Sequence, residues 1–181
     1  AASDVYKRQD SGFAASTNFV SRDADATDGL FTDGDKNKID TQFAYTKPQY
    51  HASVTYSKQR GGWDSSEYFT TSDIHEMGST ATADAYAFRG YWRPEESGSA
   101  TPEISVGYDI ISFDNHDLNV SEGSGYFVGL GWQDMLQADD RIGVAVGQAV
   151  KATEVAATTS MTALDEVDPF MWEAYYSFKP N

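Results

Sequence analysis

The chain has 181 residues, enough for one sizeable domain or for part of a larger one, and its formal net charge is −15. Such an acidic chain repels nucleic acid, and without cysteine it has no disulfide or thiolate chemistry. No apolar run approaches the roughly 20 residues of a transmembrane helix, although alternating strands could still span a membrane despite a mean hydropathy of −0.53.

Side chains that alternate between apolar and polar predict about eight β-strands along the chain. The pattern is clearest in 39–57, where Phe43 and Tyr45 fall on one side and Asp40 falls on the other. The connection at 47–49 is short enough to predict a tight hairpin. In chain order, the predicted strands are 12–20, 39–46, 50–57, 83–92, 103–113, 125–133, 141–149 and 169–179.

The predicted strands combine an apolar face, rich in Trp, Tyr and Phe, with a face of small and polar side chains. That arrangement suits a barrel wall with lipid outside and water inside. Each strand has roughly the 9–11 residues of a tilted membrane strand. Connections alternate between long and short, as in outer-membrane barrels, with 114–123 among the long ones. The expected fold is all-β, an antiparallel up-and-down transmembrane β-barrel.

Residues 1–9 fit no alternating pattern, and we expect them to form no strand and to be a non-native or disordered terminus. The rest of the chain, 10–181, is expected to form one partial β-barrel domain.

Four segments carry a resemblance to a known family: 62–94, 101–113, 123–136 and 165–181. Together they resemble the C-terminal half of a cyanobacterial outer-membrane porin of the carbohydrate-selective and iron-uptake family. The resemblance covers roughly 12–181 and implies about eight strands of a larger barrel of about 16. It also implies a bacterial outer membrane, passive diffusion of small hydrophilic solutes such as carbohydrates or inorganic ions, and a homotrimer in full-length form.

The polar face supplies the candidate functional residues, which we expect to line a water-filled pore. They are Asp40, Gln42, His51, Ser53, Thr55, Arg89, Glu103, Asp109 and Glu173. This set counts four carboxylates against one arginine, and acidic loops add to them, so the sequence predicts a pore that prefers cations.

Two other interpretations of the same alternation remain open. A soluble β-sandwich that binds carbohydrate would also have one apolar and one polar face on each strand. A complete, small eight-stranded membrane barrel would need no further strands.

Other motifs fail on their spacing. The acidic loop with Asp23, Asp25, Asp28, Asp33 and Asp35 lacks the glycine and closing acid of a calcium loop, so a solvated loop is favoured. A zinc helix needs a second histidine at the position of Ser79. No nucleophile with a paired base can be placed, so we expect no enzyme, no metal and no cofactor.

Overall fold

The computed structural model describes residues 3–8, 12–21, 36–60, 82–96, 98, 100–114, 120–155 and 170–179. These residues form one antiparallel sheet of nine strands in which each strand pairs with the next in the chain. The strands are β1 (Ser3–Arg8), β2 (Phe13–Ser21), β3 (Asn37–Thr46), β4 (Tyr50–Gln59), β5 (Thr82–Trp92), β6 (Glu103–Asp114), β7 (Val120–Gln133), β8 (Arg141–Val155) and β9 (Phe170–Ser177). Within the described residues, no helix is long and apolar enough to cross a membrane.

The eight predicted strands are all present, so the all-β, antiparallel, up-and-down fold is confirmed. The sheet is not closed over the described residues, because β1 and β9 each pair on one side alone. An open sheet of this topology is consistent with a fragment of a barrel.

The expectation that residues 1–9 contain no strand is wrong. Ser3–Arg8 pairs with β2 in an unbroken register that sets Val5 opposite Thr17. Main-chain hydrogen bonds supply this pairing, and they do not require alternating side chains, so periodicity alone could not reveal it. The assignment of residues 1–9 as non-native stays a prediction.

The connections fall on two ends of the sheet. One end, which we call the turn end, carries residues 9–12, 47–49, 93–102 and 134–140. The opposite end, the loop end, carries residues 22–36, 60–81, 115–119 and 156–169. The predicted alternation of long and short connections therefore holds, with one exception at the loop end.

That exception is the connection predicted at 114–123, which spans residues 115–119 alone. Strand β7 begins at Val120, and Glu122 and Gly123 still pair with Ser112 and Ile111 of β6. Pairing with β8 continues past register shifts near Glu122 and Ser124. The polar sequence looked like a loop, but its backbone hydrogen-bonds on both sides.

One turn at the turn end is organised around a single carboxylate. The Asp140 side chain is buried and accepts hydrogen bonds from the backbone N–H groups of Met135, Leu136 and Gln137, at 2.8, 2.9 and 3.1 Å. Burial raises the pKa of the Asp140 carboxyl, but these donors and the Tyr176 hydroxyl outweigh it and hold the pKa below its ordinary value. The ionised carboxylate therefore stabilises the turn.

We expect Asp140→Asn to lower the melting temperature of the protein. In asparagine an NH₂ group replaces one carboxylate oxygen, so a donor would face the backbone N–H groups that this oxygen now accepts from. Since the pKa of Asp140 is depressed by folding, its contribution is present above the unfolded value of about 3.9 and is lost as the pH falls through the folded value. The difference between wild type and variant should therefore shrink below about pH 4, measured by thermal unfolding in detergent.

The matched control is Asp139→Asn in the same turn. The Asp139 carboxylate is 62% exposed and meets the Lys179 ammonium at 3.1 Å, and asparagine tolerates its φ of 64°. A loss of stability in this control as large as in Asp140→Asn would contradict the account.

Candidate functional site: a sheet with an apolar outer face and a polar inner face

The apolar side chains form one continuous face, which we call the outer face. Register aligns Val54 with Phe88, and Val106 with Val128. Large side chains on this face stay exposed, at 44% for Phe88 and 44% for Val106. Soluble monomers rarely expose an apolar patch that crosses so many strands, and no second sheet covers it in the described part of the chain.

Aromatic and charged side chains border the outer face toward the loop end. The Tyr56 and Tyr86 rings lie 5.1 Å apart, and the Tyr56 hydroxyl donates to the Asp84 carboxylate. The Lys58 ammonium reaches the same carboxylate at 3.1 Å. Apolar side chains thus give way to tyrosine and then to an ion pair, the order found from the core of a membrane to its surface.

The turn end of the outer face has a similar border. The Tyr45 and Tyr50 rings lie 5.8 Å apart, and register sets Tyr50 opposite Trp92. Tyrosine and tryptophan favour the interface because one end of each ring is apolar and the other can donate a hydrogen bond.

All nine predicted pore-lining residues occupy the opposite face, which we call the inner face. Strand alternation and register place them there. Several are joined in pairs between neighbouring strands. The Gln42 amide donates to the Thr55 hydroxyl at 3.0 Å, and the His51 ring stacks on Tyr91 with centroids 5.5 Å apart.

Glu103 and Glu173 do not take part in such side-chain pairs within the described residues. Register sets Glu103 opposite Gly131, and Glu173 opposite Ala145. Neither carboxylate makes an ion pair with a described residue. Within the described part of the chain, no ion pair therefore offsets the negative charge of either side chain.

Arg89 is the centre of the best-defined cluster on the inner face. Its guanidinium pairs with the Asp109 carboxylate at 2.8 Å and lies 5.7 Å from the centre of the Phe127 ring. A Cβ at Gly107 would stand 2.1 Å from that ring, so the ring rests where glycine has no side chain. Alternation along the strands predicted that Arg89, Asp109 and Phe127 all face inward, but Phe127 was not among the candidate functional residues. The sequence feature that could have indicated its role is Gly107 of β6, which is directly opposite Phe127 of β7 in the register of the two strands.

Other inner-face cations were also missed. The Lys38 ammonium pairs with Asp40 at 3.2 Å, and register sets Arg141 on the inner face opposite Ser177. The predicted count of four carboxylates against one arginine is therefore incomplete. Lys38, Arg89 and Arg141 reduce the negative excess along the described wall, and two of the predicted acids, Asp40 and Asp109, are directly ion-paired.

The inner face is not polar along its whole length. Near the loop end, Ala83, Ile111 and Phe113 are buried, with 0%, 5% and 8% of their surfaces exposed. Register places Ala83 directly opposite Phe113. The wall thus has a covered zone toward the loops, where these apolar side chains lie beside the buried polar side chains of Ser57 and Gln59, and an open polar zone toward the turns.

The polar zone ends in a cavity of about 860 Å³ at the turn end. It combines two tyrosine rings with charges of both signs. Its inner-face lining includes Tyr91, Glu103, Arg141 and Tyr175, and the connection at 93–102 contributes Arg93, Glu95 and Glu96. Hydrogen-bonding groups and ring faces of this kind suit a hydrated, hydroxylated or charged solute.

The described residues contain no cluster of three or more His, Cys, Asp or Glu side chains that could hold a metal ion. The acidic loop at 23–35 and the histidine at 75 lie outside the described residues.

No family model, curated protein or solved structure matches the chain. The fold and the two faces of the sheet are therefore the basis for a functional proposal.

We expect Gly107→Ala to lower the free energy of unfolding by about 1–3 kcal/mol, because the new methyl must push Phe127 off the sheet. Gly131→Ala is the matched control, since its Cβ meets nothing nearer than the Ile142 carbonyl at 4.0 Å. Urea unfolding of both variants, folded in detergent, measures the difference. Equal losses would show that Phe127 does not depend on the space above Gly107.

Proposed function

We propose that this chain forms part of the wall of an outer-membrane porin, through which small hydrophilic solutes or ions diffuse passively. The observation that carries the proposal is the exposed apolar face of a single up-and-down sheet, bordered by tyrosines at both ends and backed by a polar face. Lipid covers such a face without a second sheet, and water wets the other.

The solute class is proposed from the turn-end cavity. Tyr91 and Tyr175 contribute aromatic surface and hydroxyl groups, and Glu103 and Arg141 contribute charges of both signs. These groups support passage of carbohydrates or hydrated inorganic ions, in agreement with the family that the sequence resembles. The homotrimer and the bacterial outer membrane rest on that resemblance.

The other two interpretations receive less support. A carbohydrate-binding sandwich would pack the apolar face against a second sheet, whereas Phe43 and Val144 remain 59% and 42% exposed. A complete eight-stranded barrel would pair its first strand with its last, whereas the described sheet has nine strands and two edges.

Reconstitution into planar bilayers tests the proposal directly. We expect stepwise conductance increments from the detergent-purified full-length protein, in which further strands pair with the two edges of the sheet, and swelling of liposomes in isotonic sugar. A protein that stays monodisperse without detergent and binds oligosaccharide without conducting would instead be the soluble sandwich.

The facing of the sheet can be tested at two adjacent residues of β8. Val144 lies on the outer face between Leu130 and Ala174, whereas Ala145 lies on the inner face. We expect Val144→Arg to lower stability in a bilayer refolding titration, with a cost that rises with depth to at most about 2–4 kcal/mol, the value for arginine at the midplane of the membrane. Ala145→Ser should cost little, and equal costs for the two variants would contradict the facing.

Ion selectivity can be tested at the Arg89–Asp109 pair. Asp109→Asn leaves the Arg89 guanidinium uncompensated, so we expect the reversal potential under a KCl gradient to shift toward anions. The double variant Arg89→Gln, Asp109→Asn keeps the net charge, and it should return the potential close to the wild-type value.

Salt dependence provides the check on this mechanism. The shift should weaken between 0.1 M and 1 M salt, because the Debye length falls from about 10 Å to about 3 Å. A shift in the double variant as large as in Asp109→Asn would mean that local structure, and not charge, sets the potential. The wild-type preference for cations stays a prediction, with Glu103 and Glu173 as its uncompensated acids on the described wall.

A further inference from the structure

A groove of about 450 Å³ crosses the outer face on β2, β3 and β4. Its large side chains are Phe13, Phe43 and Tyr45, and Ala15 and Ala52 leave space between them. The Phe13 and Tyr45 rings pack 4.6 Å apart, whereas Phe43 lies in the next row, opposite Ala15. Small and large residues thus alternate to make a depression in a face that is otherwise continuous.

The groove is built for an apolar occupant. Phe13 and Phe43 are 57% and 59% exposed, so the rings leave apolar surface that an occupant could cover. The volume lies within the range of about 300–1,000 Å³ that is usual for ligand pockets. Opposite Ala52 is Gly90 of β5, so the low floor continues to the next strand.

A cation stands at the turn end of this groove. The Lys47 ammonium lies 5.6 Å from the centre of the Tyr45 ring, which itself lines the groove. It makes no ion pair with a described carboxylate, although the chain has 28 acidic and 13 basic residues. A cation beside an interfacial tyrosine is placed to meet an anionic group at the membrane surface.

We propose that the groove binds one acyl chain of a phospholipid with an anionic headgroup, and that the headgroup phosphate contacts Lys47. The inference rests on the proposed function, because that function places the outer face in lipid. The apolar lining accounts for the acyl chain, and the charge of Lys47 accounts for the choice of headgroup.

Native mass spectrometry of the full chain, released from detergent micelles, tests the site. The probes are phosphatidylglycerol and phosphatidylcholine with the same acyl chains. We expect the wild type to retain phosphatidylglycerol about fivefold more tightly, the effect of one basic residue near an anionic surface. Lys47→Gln should abolish this preference by lowering phosphatidylglycerol retention more than that of phosphatidylcholine, whose choline cation already offsets the charge of its phosphate.

A second variant fills the groove. Ala52→Leu should lower the retention of both lipids, whereas Ala174→Leu, on the outer face of β9, should lower neither. Equal retention of the two lipids by the wild type would overturn the proposal. So would an Ala52→Leu variant that keeps its lipid and loses an oligomer, because the groove would then hold a second copy of the chain.

Conductance recorded from the same preparations separates this inference from the proposed function. Stepwise conductance together with equal lipid retention would reject the lipid site and leave the porin intact. A protein that neither conducts nor inserts, and retains neither lipid, would reject both.

Discussion

Uninterrupted pairing of the backbone is the constraint on which the rest of the sheet depends. In lipid, each unpaired N–H or C=O group costs several kcal/mol, so every strand must hydrogen-bond to its neighbours. Because side chains alternate with a period of two, a slip of one residue would exchange the two faces of a strand. Phe43 would then point inward beside Ser53, and Gln42 would point toward lipid beside Val54. In the proposed porin, the register in which Phe43 meets Val54 is thus also the register that would keep polar groups out of the membrane.

Register irregularities occur where this constraint relaxes. The shifts in the β7–β8 pair lie between Val120 and Tyr126, at the loop end. Toward the turn end the same two strands pair without a shift, from Tyr126 with Gln148 to Gln133 with Arg141. At the loop end the outer face already carries Glu122, so an unpaired group there can bind water.

Glycines let the inner face carry aromatic rings. A Cβ at Gly107 would stand 2.1 Å from the Phe127 ring, and a Cβ at Gly143 would stand 2.3 Å from the Tyr175 ring. In each case the ring comes from the next strand and lies down against the sheet. Glycine in a strand usually weakens it, but here the neighbouring ring covers the exposed backbone. In the proposed porin, rings that lie flat against the sheet would leave more space for solutes.

From alternation and composition, the sequence predicted the strands and the face of the sheet on which each strand residue lies. It placed Val144 outward and Ala145 inward, and it placed all nine polar candidates on one face, because each of these assignments follows from a count along one strand. It could not predict partners on other strands, such as Phe127 for Arg89, since those depend on register and rotamer. Lys38 lies two residues before Asp40 on β3, so alternation along one strand was enough to place the two side chains together. The burial of Ala83 and Phe113 could not be predicted either, because it depends on how β5 pairs with β6.

The two ion pairs on the inner face, Arg89–Asp109 and Lys38–Asp40, change its electrostatics. A count of acidic residues treats every carboxylate as a full negative charge. The charge of Asp109, however, is offset by a guanidinium 2.8 Å away, and the charge of Asp40 is offset by an ammonium 3.2 Å away. A pair of opposite charges acts at a distance as a dipole, whose potential falls off faster than that of a single charge. The long-range field along the described wall therefore comes mainly from Glu103, Glu173 and Arg141, which lie toward the turn end. A hydrated ion would meet short-range hydrogen bonds in the middle of this face and net charge at its turn end.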